Sequence, residues 1–178
     1  QAFAYSCNCA FIQLGKLTGS ENIIDMAEKL GLGEAPISDL PSVRRGNVTT
    51  LENAVGDGIG NLSIGQGEML VTPLQVARLT NIIARHGNDA ELSLIKNADE
   101  IMTSAGGSFA QRRVDANVIS KETAEEITRM MRQTVIYGTA RGTGSNFEAA
   151  GKTGSAETGT YEGAPVHGWF TGFFPASD

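Results

Sequence analysis

The sequence predicts one domain of mixed class, in which helices come first and an antiparallel strand hairpin closes the chain. Three observations predict it. Apolar residues recur at helical spacing in several stretches that carry their own start and stop signals. Ala149–Thr158 and Val166–Phe174 are strand-like runs joined by a glycine- and proline-containing turn. At 178 residues, with 40% hydrophobic and 19% charged side chains, the chain can bury one sizeable core and needs no second domain.

The elements follow in order. Small and apolar residues surround Ser6–Asn8, and a helix is predicted from Cys9 to Leu17. A second helix starts with Ser20 as cap and runs through the apolar face Ile23, Ile24, Ala27 and Leu30. Gly31 ends it in the left-handed conformation. Residues 31–70 are rich in Gly, Pro, Asn and Ser and have no sustained period, which predicts a long irregular stretch of the kind often tied to function.

The next helix is the best specified. Thr72 is its N-cap, Pro73 takes the first helical position, and Gln75 closes a capping box. Val76, Leu79, Ile82 and Ile83 face the core, and Gly87 marks the end. Leu92–Ile95 and, more weakly, Gln111–Asp115 read as short strands. Ser120 caps a further helix whose Glu122, Glu125 and Glu126 suit its positive end. Ile127, Met130, Met131, Thr134 and Val135 form its apolar face, and Gly138 stops it. In the last strand Trp169, Thr171 and Phe173 point one way and Phe170 and Phe174 the other. Large apolar groups on both faces predict a strand inside a sheet, with a neighbouring strand beyond it.

Composition excludes several classes. Net charge is −6 and adjacent basic residues occur only at Arg44-Arg45 and Arg112-Arg113, so no nucleic-acid partner is expected. No apolar run approaches the ~20 residues of a membrane span. Cys7 and Cys9 stand too close for a mutual disulfide and are expected to be small packing residues. His86 and His167 are the only histidines and neither has a partner at ligand spacing, so no metal and no cofactor are expected. His86 suits a helix C-terminus, and His167 reads as a structural strand residue.

Two short motifs carry chemistry. Lys152 on a strand edge can attract a substrate carboxylate, Thr153 and Ser155 can hydrogen-bond it, and Gly154 lets a substrate backbone come close. Near the other end of the chain, the Ser6 hydroxyl can relay a proton and the Asn8 amide can hold both a lysine and a substrate amide. Gly151-Lys152-Thr153 is not a phosphate loop. That pattern needs a glycine at position 146, where Asn146 stands, and a helix after the lysine, where Gly154 and Gly159 flank a strand.

In their order along the chain, Ser6-Cys7-Asn8 and Lys152-Thr153-Gly154-Ser155 resemble the second and third signatures of the penicillin-recognising serine transpeptidases. The likeness extends further. Ala4-Tyr5-Ser6-Cys7-Asn8 with Phe11, Ser63-Ile64-Gly65-Gln66-Gly67, and Thr72-Pro73-Leu74-Gln75-Val76-Ala77 resemble class B penicillin-binding proteins. So do Val135-x-x-Gly138-Thr139-Ala140 and His167-Gly168-Trp169-Phe170-x-Gly172-Phe173.

The resemblance implies an α+β domain of the penicillin-binding and serine β-lactamase-like fold, with helices around a five-stranded antiparallel sheet. It implies a peptidoglycan D,D-transpeptidase that passes through an acyl-enzyme on serine, with stem peptides ending in D-Ala-D-Ala and β-lactam antibiotics as ligands. By motif, the catalytic residues would be Ser6 relaying protons, Asn8 positioning substrate and Lys152 setting the positive charge. Thr153 and Ser155 would hold the carboxylate beside Gly154, and the Ser155 N–H would supply half an oxyanion hole.

The departures carry expectations of their own. The nucleophile's Ser-x-x-Lys should precede both motifs, whereas the one present, Ser93-Leu94-Ile95-Lys96, falls between them in a strand-like run. Residues 1–178 are therefore expected to be a partial transpeptidase domain, truncated at both ends, without the opening strands or the last strand and helix. Such a chain is expected to be inactive alone, and to cover its sheet edge by self-association or by pairing with the missing part of the domain. The parent protein is expected at the extracytoplasmic face of the bacterial membrane, held by an anchor outside this chain. The alternatives are a β-lactam sensor, a serine β-lactamase-type domain, or a non-catalytic scaffold module on the same fold.

Overall fold

The computed structural model describes residues 1–36, 42–90, 92, 117–143, 147–159 and 163–176. Its N-terminal part is helical. After a turn over the first residues come α1 (Asn8–Thr18) and α2 (Ser20–Lys29). A single 3₁₀ turn (Glu52–Ala54) and the short α3 (Gly58–Ser63) lie inside the stretch that reads as irregular in sequence. Helix α3 lies against α1, and the contact is close because Gly15 has no side chain: a Cβ there would overlap the Ser63 hydroxyl.

Ser20 corrects one expectation. It is the first residue of α2, the cap position belongs to Gly19, and no side chain caps the helix. The Ser20 hydroxyl instead donates to the Ala54 carbonyl, tying α2 to the 3₁₀ turn. Ser20 stands one position inside the cap, and its hydroxyl is aimed away from the helix's free N–H groups, at a tertiary carbonyl. Gly31 does take a positive φ, 77°, directly after this helix.

Helix α4 (Pro73–Ala84) begins as its sequence specifies. Thr72 accepts from the Gln75 N–H at 3.2 Å, and the Gln75 side chain accepts from the Thr72 N–H at 2.8 Å. Gln75 is also fully buried, and its amide nitrogen reaches the carbonyls of Leu32 at 2.6 Å and Glu34 at 2.9 Å. The α4 cap thereby anchors the chain that leaves α2. Arg78 adds a second anchor through a forked pair with the buried carboxylate of Asp89. Helix α5 (Lys121–Ile136) is capped by Ser120, which accepts from the Thr123 N–H at 3.1 Å. Its buried face is Ala124, Met131, Thr134 and Val135.

Strands β1 (Ala150–Glu157) and β2 (Val166–Phe173) pair antiparallel with Lys152 opposite Thr171 and Gly154 opposite Trp169. Among the described residues they form a two-stranded sheet, where the resemblance implies five strands. Helix α5 packs on β1 and α4 on β2, where the hydroxyls of Thr80 and Thr171 meet at 2.6 Å. Trp169, Thr171 and Phe173 are accordingly half-buried. The opposite face of β2 departs from the prediction of burial on both sides. Phe170 and Phe174 are 51% and 71% exposed, because no described element lies over them. Beside Phe174 stands the Phe147 ring, at 5.8 Å between centroids. The strands read at Leu92–Ile95 and Gln111–Asp115 lie, Leu92 apart, outside the described residues, as does Ser93-Leu94-Ile95-Lys96.

Candidate functional site

The site forms where the N-terminal turn, the end of α5 and the start of β1 meet. Residues 1–7 coil tightly, with the Ser6 N–H donating to Phe3 O at 3.1 Å and the Cys7 N–H to Ala2 O at 3.0 Å. Ser6 takes a positive φ of 52° at the exit of this coil, a sparsely populated region for a residue with a side chain. That conformation presents its hydroxyl toward β1. The coil rests on the end of α5, where the Thr139 N–H donates to the buried Ala4 carbonyl at 3.0 Å. Gly138 permits this approach, since a Cβ there would overlap the same carbonyl.

From the other side comes Lys152, the third residue of β1. Its Nζ donates to Ser6 Oγ at 2.9 Å and to Thr153 O at 2.9 Å, and it stands 5.7 Å from the centre of the Phe3 ring. An ammonium has three donors, and these contacts use two. The cation is half-buried, and burial pushes its pKa below the ordinary lysine value. Ser6 accepts from this ammonium through its oxygen, which leaves the hydroxyl hydrogen free to be donated. An oriented cation and a hydroxyl in contact can hold an anion and pass a proton on.

The remaining motif residues continue along two walls. Thr153 meets Thr139, hydroxyl to hydroxyl, at 2.5 Å. Gly154 and Ser155 are exposed, and a Cβ at Gly154 would come within 3.3 Å of the Trp169 Cβ. Ser155 and Asn8 line a cleft of about 630 Å³ together with Asn61, Gln66 and Gly67. The Gln66 amide donates to Ser155 O at 3.2 Å. The structure thus brings Ser6 and Lys152 into direct contact. Thr153, Gly154 and Ser155 follow on the same strand, and Asn8 stands on the cleft wall. Asn8 makes no side-chain hydrogen bond to Lys152.

Cys7 and Cys9 are exposed free thiols on either side of Asn8, against the expectation that they are packing residues. Asn8 between them lines the cleft, and Phe11, one turn on from Cys7, takes the packing position against the Phe3 ring instead. His86 directly follows the α4 end with φ 54°, and His167 is exposed on β2. Motif reading misses three neighbours of the β1 motif: Phe3 beside Lys152, Thr139 beside Thr153 and Gln66 beside Ser155. Thr139 and Gln66 had a signal, since both stand in the glycine-flanked segments that carry the resemblance. Phe3 had none.

Residues 1–178 match, from end to end, the family described as the penicillin binding protein transpeptidase domain. The chain belongs to this family.

Among curated relatives, it is 31% identical over 181 residues to the peptidoglycan D,D-transpeptidase PbpA of Mycolicibacterium smegmatis, a match that covers 100% of this chain and 36% of that protein. It is 28% identical over 202 residues to the peptidoglycan D,D-transpeptidase MrdA of Acinetobacter baumannii, covering 99% of this chain and 29% of the relative. Among solved structures it superimposes on the imipenem acyl-enzyme complex of penicillin-binding protein A from Mycobacterium tuberculosis with a TM-score of 0.80. That match has 31% identity and covers 98% of this chain and 39% of that one. The penicillin-binding protein PBP2 of Helicobacter pylori, solved in complex with MreC, gives a TM-score of 0.79 at 25% identity, covering 98% of this chain and 33% of that one. The chain therefore spans about a third of the length of these relatives. The α+β class expected from the sequence is the class of this fold.

Proposed function

We propose that residues 1–178 form part of the transpeptidase domain of a serine D,D-transpeptidase that cross-links peptidoglycan. The observation that carries the reading is the 2.9 Å contact of Lys152 Nζ with Ser6 Oγ, which joins the two motifs in one cleft. In the proposed reaction a serine attacks the carbonyl between the two D-Ala residues of a stem peptide. The leaving amine takes up a proton, D-Ala departs, and the amine of a second stem then displaces the serine. Ser6 passes the proton, Lys152 and Thr153 hold the substrate carboxylate, and Ser155 borders the oxyanion position. Asn8 orients the substrate amide. β-Lactams enter as mimics of the same peptide end. Relatives named as transpeptidases favour transfer over the hydrolysis of a serine β-lactamase.

The nucleophile in this reading lies outside residues 1–178, because Ser93-Leu94-Ile95-Lys96 falls between the other two motifs. The parent protein works outside the cytoplasmic membrane, and its anchor is no helix described here: among the described residues none is long and apolar enough to cross a membrane. Incubation with benzylpenicillin followed by intact-mass measurement and peptide mapping tests the reading. The longer protein is expected to gain one adduct on a serine upstream of Ser6, and the 178-residue chain alone none. An adduct on Ser93, or no adduct on the longer protein, would overturn it.

A further inference from the structure

Thr139 touches both halves of the site, yet no motif assigns it a task. Its main-chain N–H holds the Ala4 carbonyl at 3.0 Å, two residues before Ser6. Its hydroxyl lies 2.5 Å from that of Thr153, one residue after Lys152. Thr139 is fixed from behind as well. The Ala140 N–H donates to the buried Thr134 carbonyl at 3.2 Å, Ala140 is itself buried, and a side chain at Gly138 would collide with Ala4. Being β-branched, its side chain is also stiff at χ1.

We infer that Thr139 is a positioning residue of the carboxylate site, donating its hydroxyl hydrogen to Thr153 Oγ1 so that the Thr153 hydrogen is directed at the substrate carboxylate. The inference rests on the transpeptidase reading and deepens it.

The physical reason is that two hydroxyls in contact offer one shared hydrogen bond with two possible directions. With nothing bound, either can donate. A carboxylate held by Lys152 settles the choice: Thr153 turns its hydrogen toward the anion, and its oxygen then needs a donor. Thr139 is the hydroxyl placed to supply it. A chain of hydroxyls that all point toward an anion is polarised along its length, so the second bond strengthens the first. Without Thr139, Thr153 Oγ1 loses a donor just as substrate excludes water from it.

Second-order acylation rates test this on the longer protein that carries the upstream serine. Benzylpenicillin and its methyl ester are the two probes, since the ester lacks the anion. Thr139→Val is expected to slow acylation by the acid about tenfold and to leave the ester rate within twofold of the unsubstituted protein's. Thr139→Ser, which keeps the donor, is expected to hold both rates. Equal loss on both probes in Thr139→Val would mean a purely structural role, and no loss on either would mean no role. A Ser variant as slow as the Val variant would likewise overturn the inference. Failure of the unsubstituted protein to react with benzylpenicillin would instead remove the transpeptidase reading itself, and this inference with it.

Discussion

Two polar side chains tie distant parts of this molecule together, and they are treated in opposite ways. Gln75, at the start of α4, is almost wholly buried at 1% exposure and finds partners for both ends of its amide. Its oxygen receives the Thr72 N–H, and its nitrogen reaches Leu32 O and Glu34 O. Lys152, on β1, is half-buried, has its ammonium destabilised by burial, and spends two of its three donors, on Ser6 and Thr153. A structural polar group is saturated because an unmade bond in the interior costs about 1–3 kcal/mol. A binding group is left incomplete so that a ligand completes it. The difference separates scaffold from site without reference to any relative.

The comparison can be broken by exchanging the two outcomes. Lys152→Met in the longer protein is expected to lower the acylation rate by penicillin about a thousandfold while leaving the urea midpoint almost unchanged. If stability falls as far as activity, Lys152 is scaffold after all. Gln75→Leu should do the reverse. It orphans the Thr72 N–H and the carbonyls of residues 32 and 34, at about 3 kcal/mol, read as a lower urea midpoint at constant slope. A normal midpoint would show that water enters the α4 cap.

A smaller effect sharpens the picture of Lys152. Burial lowers its pKa, so the ammonium is lost as pH rises through a value below the ordinary 10.5. Carboxylate capture should fall along with it, giving the acylation rate an alkaline limb in that window. Between the folded and unfolded pKa values the unfolded chain holds more protons, so the stability contribution of Lys152 rises with pH as capture declines. Lys152→Arg keeps its charge and should move the limb upward in pH. A limb that stays where it was belongs to another group.

What could be read from sequence was what is decided locally. The Thr72–Gln75 box, the Ser120 cap and the β1–β2 hairpin all close over a few residues, and each stands where its pattern put it. Ser20 was misread because its hydroxyl is claimed by Ala54, which no local pattern reveals. Helix α3 was invisible because its Gly-rich six residues have little helical preference and depend on the close seat against Gly15. The site was legible only in part. Ser6 and Lys152 could be joined through a family resemblance, not by spacing. Thr139 stands in a segment that carries the resemblance, but its partner Thr153 is set by the fold, as is the place of Phe3 beside Lys152.

Ser6 and Lys152 stand 146 positions apart. Joining them closes a long loop, so the contact has no local precursor and its entropy must be met by packing elsewhere. The Lys152–Ser6 contact therefore depends on α5 packing against β1 and on the N-terminal coil resting on the α5 end. Ligand capture at Lys152 would consequently report that the N-terminal coil, the α5 end and β1 have all come together.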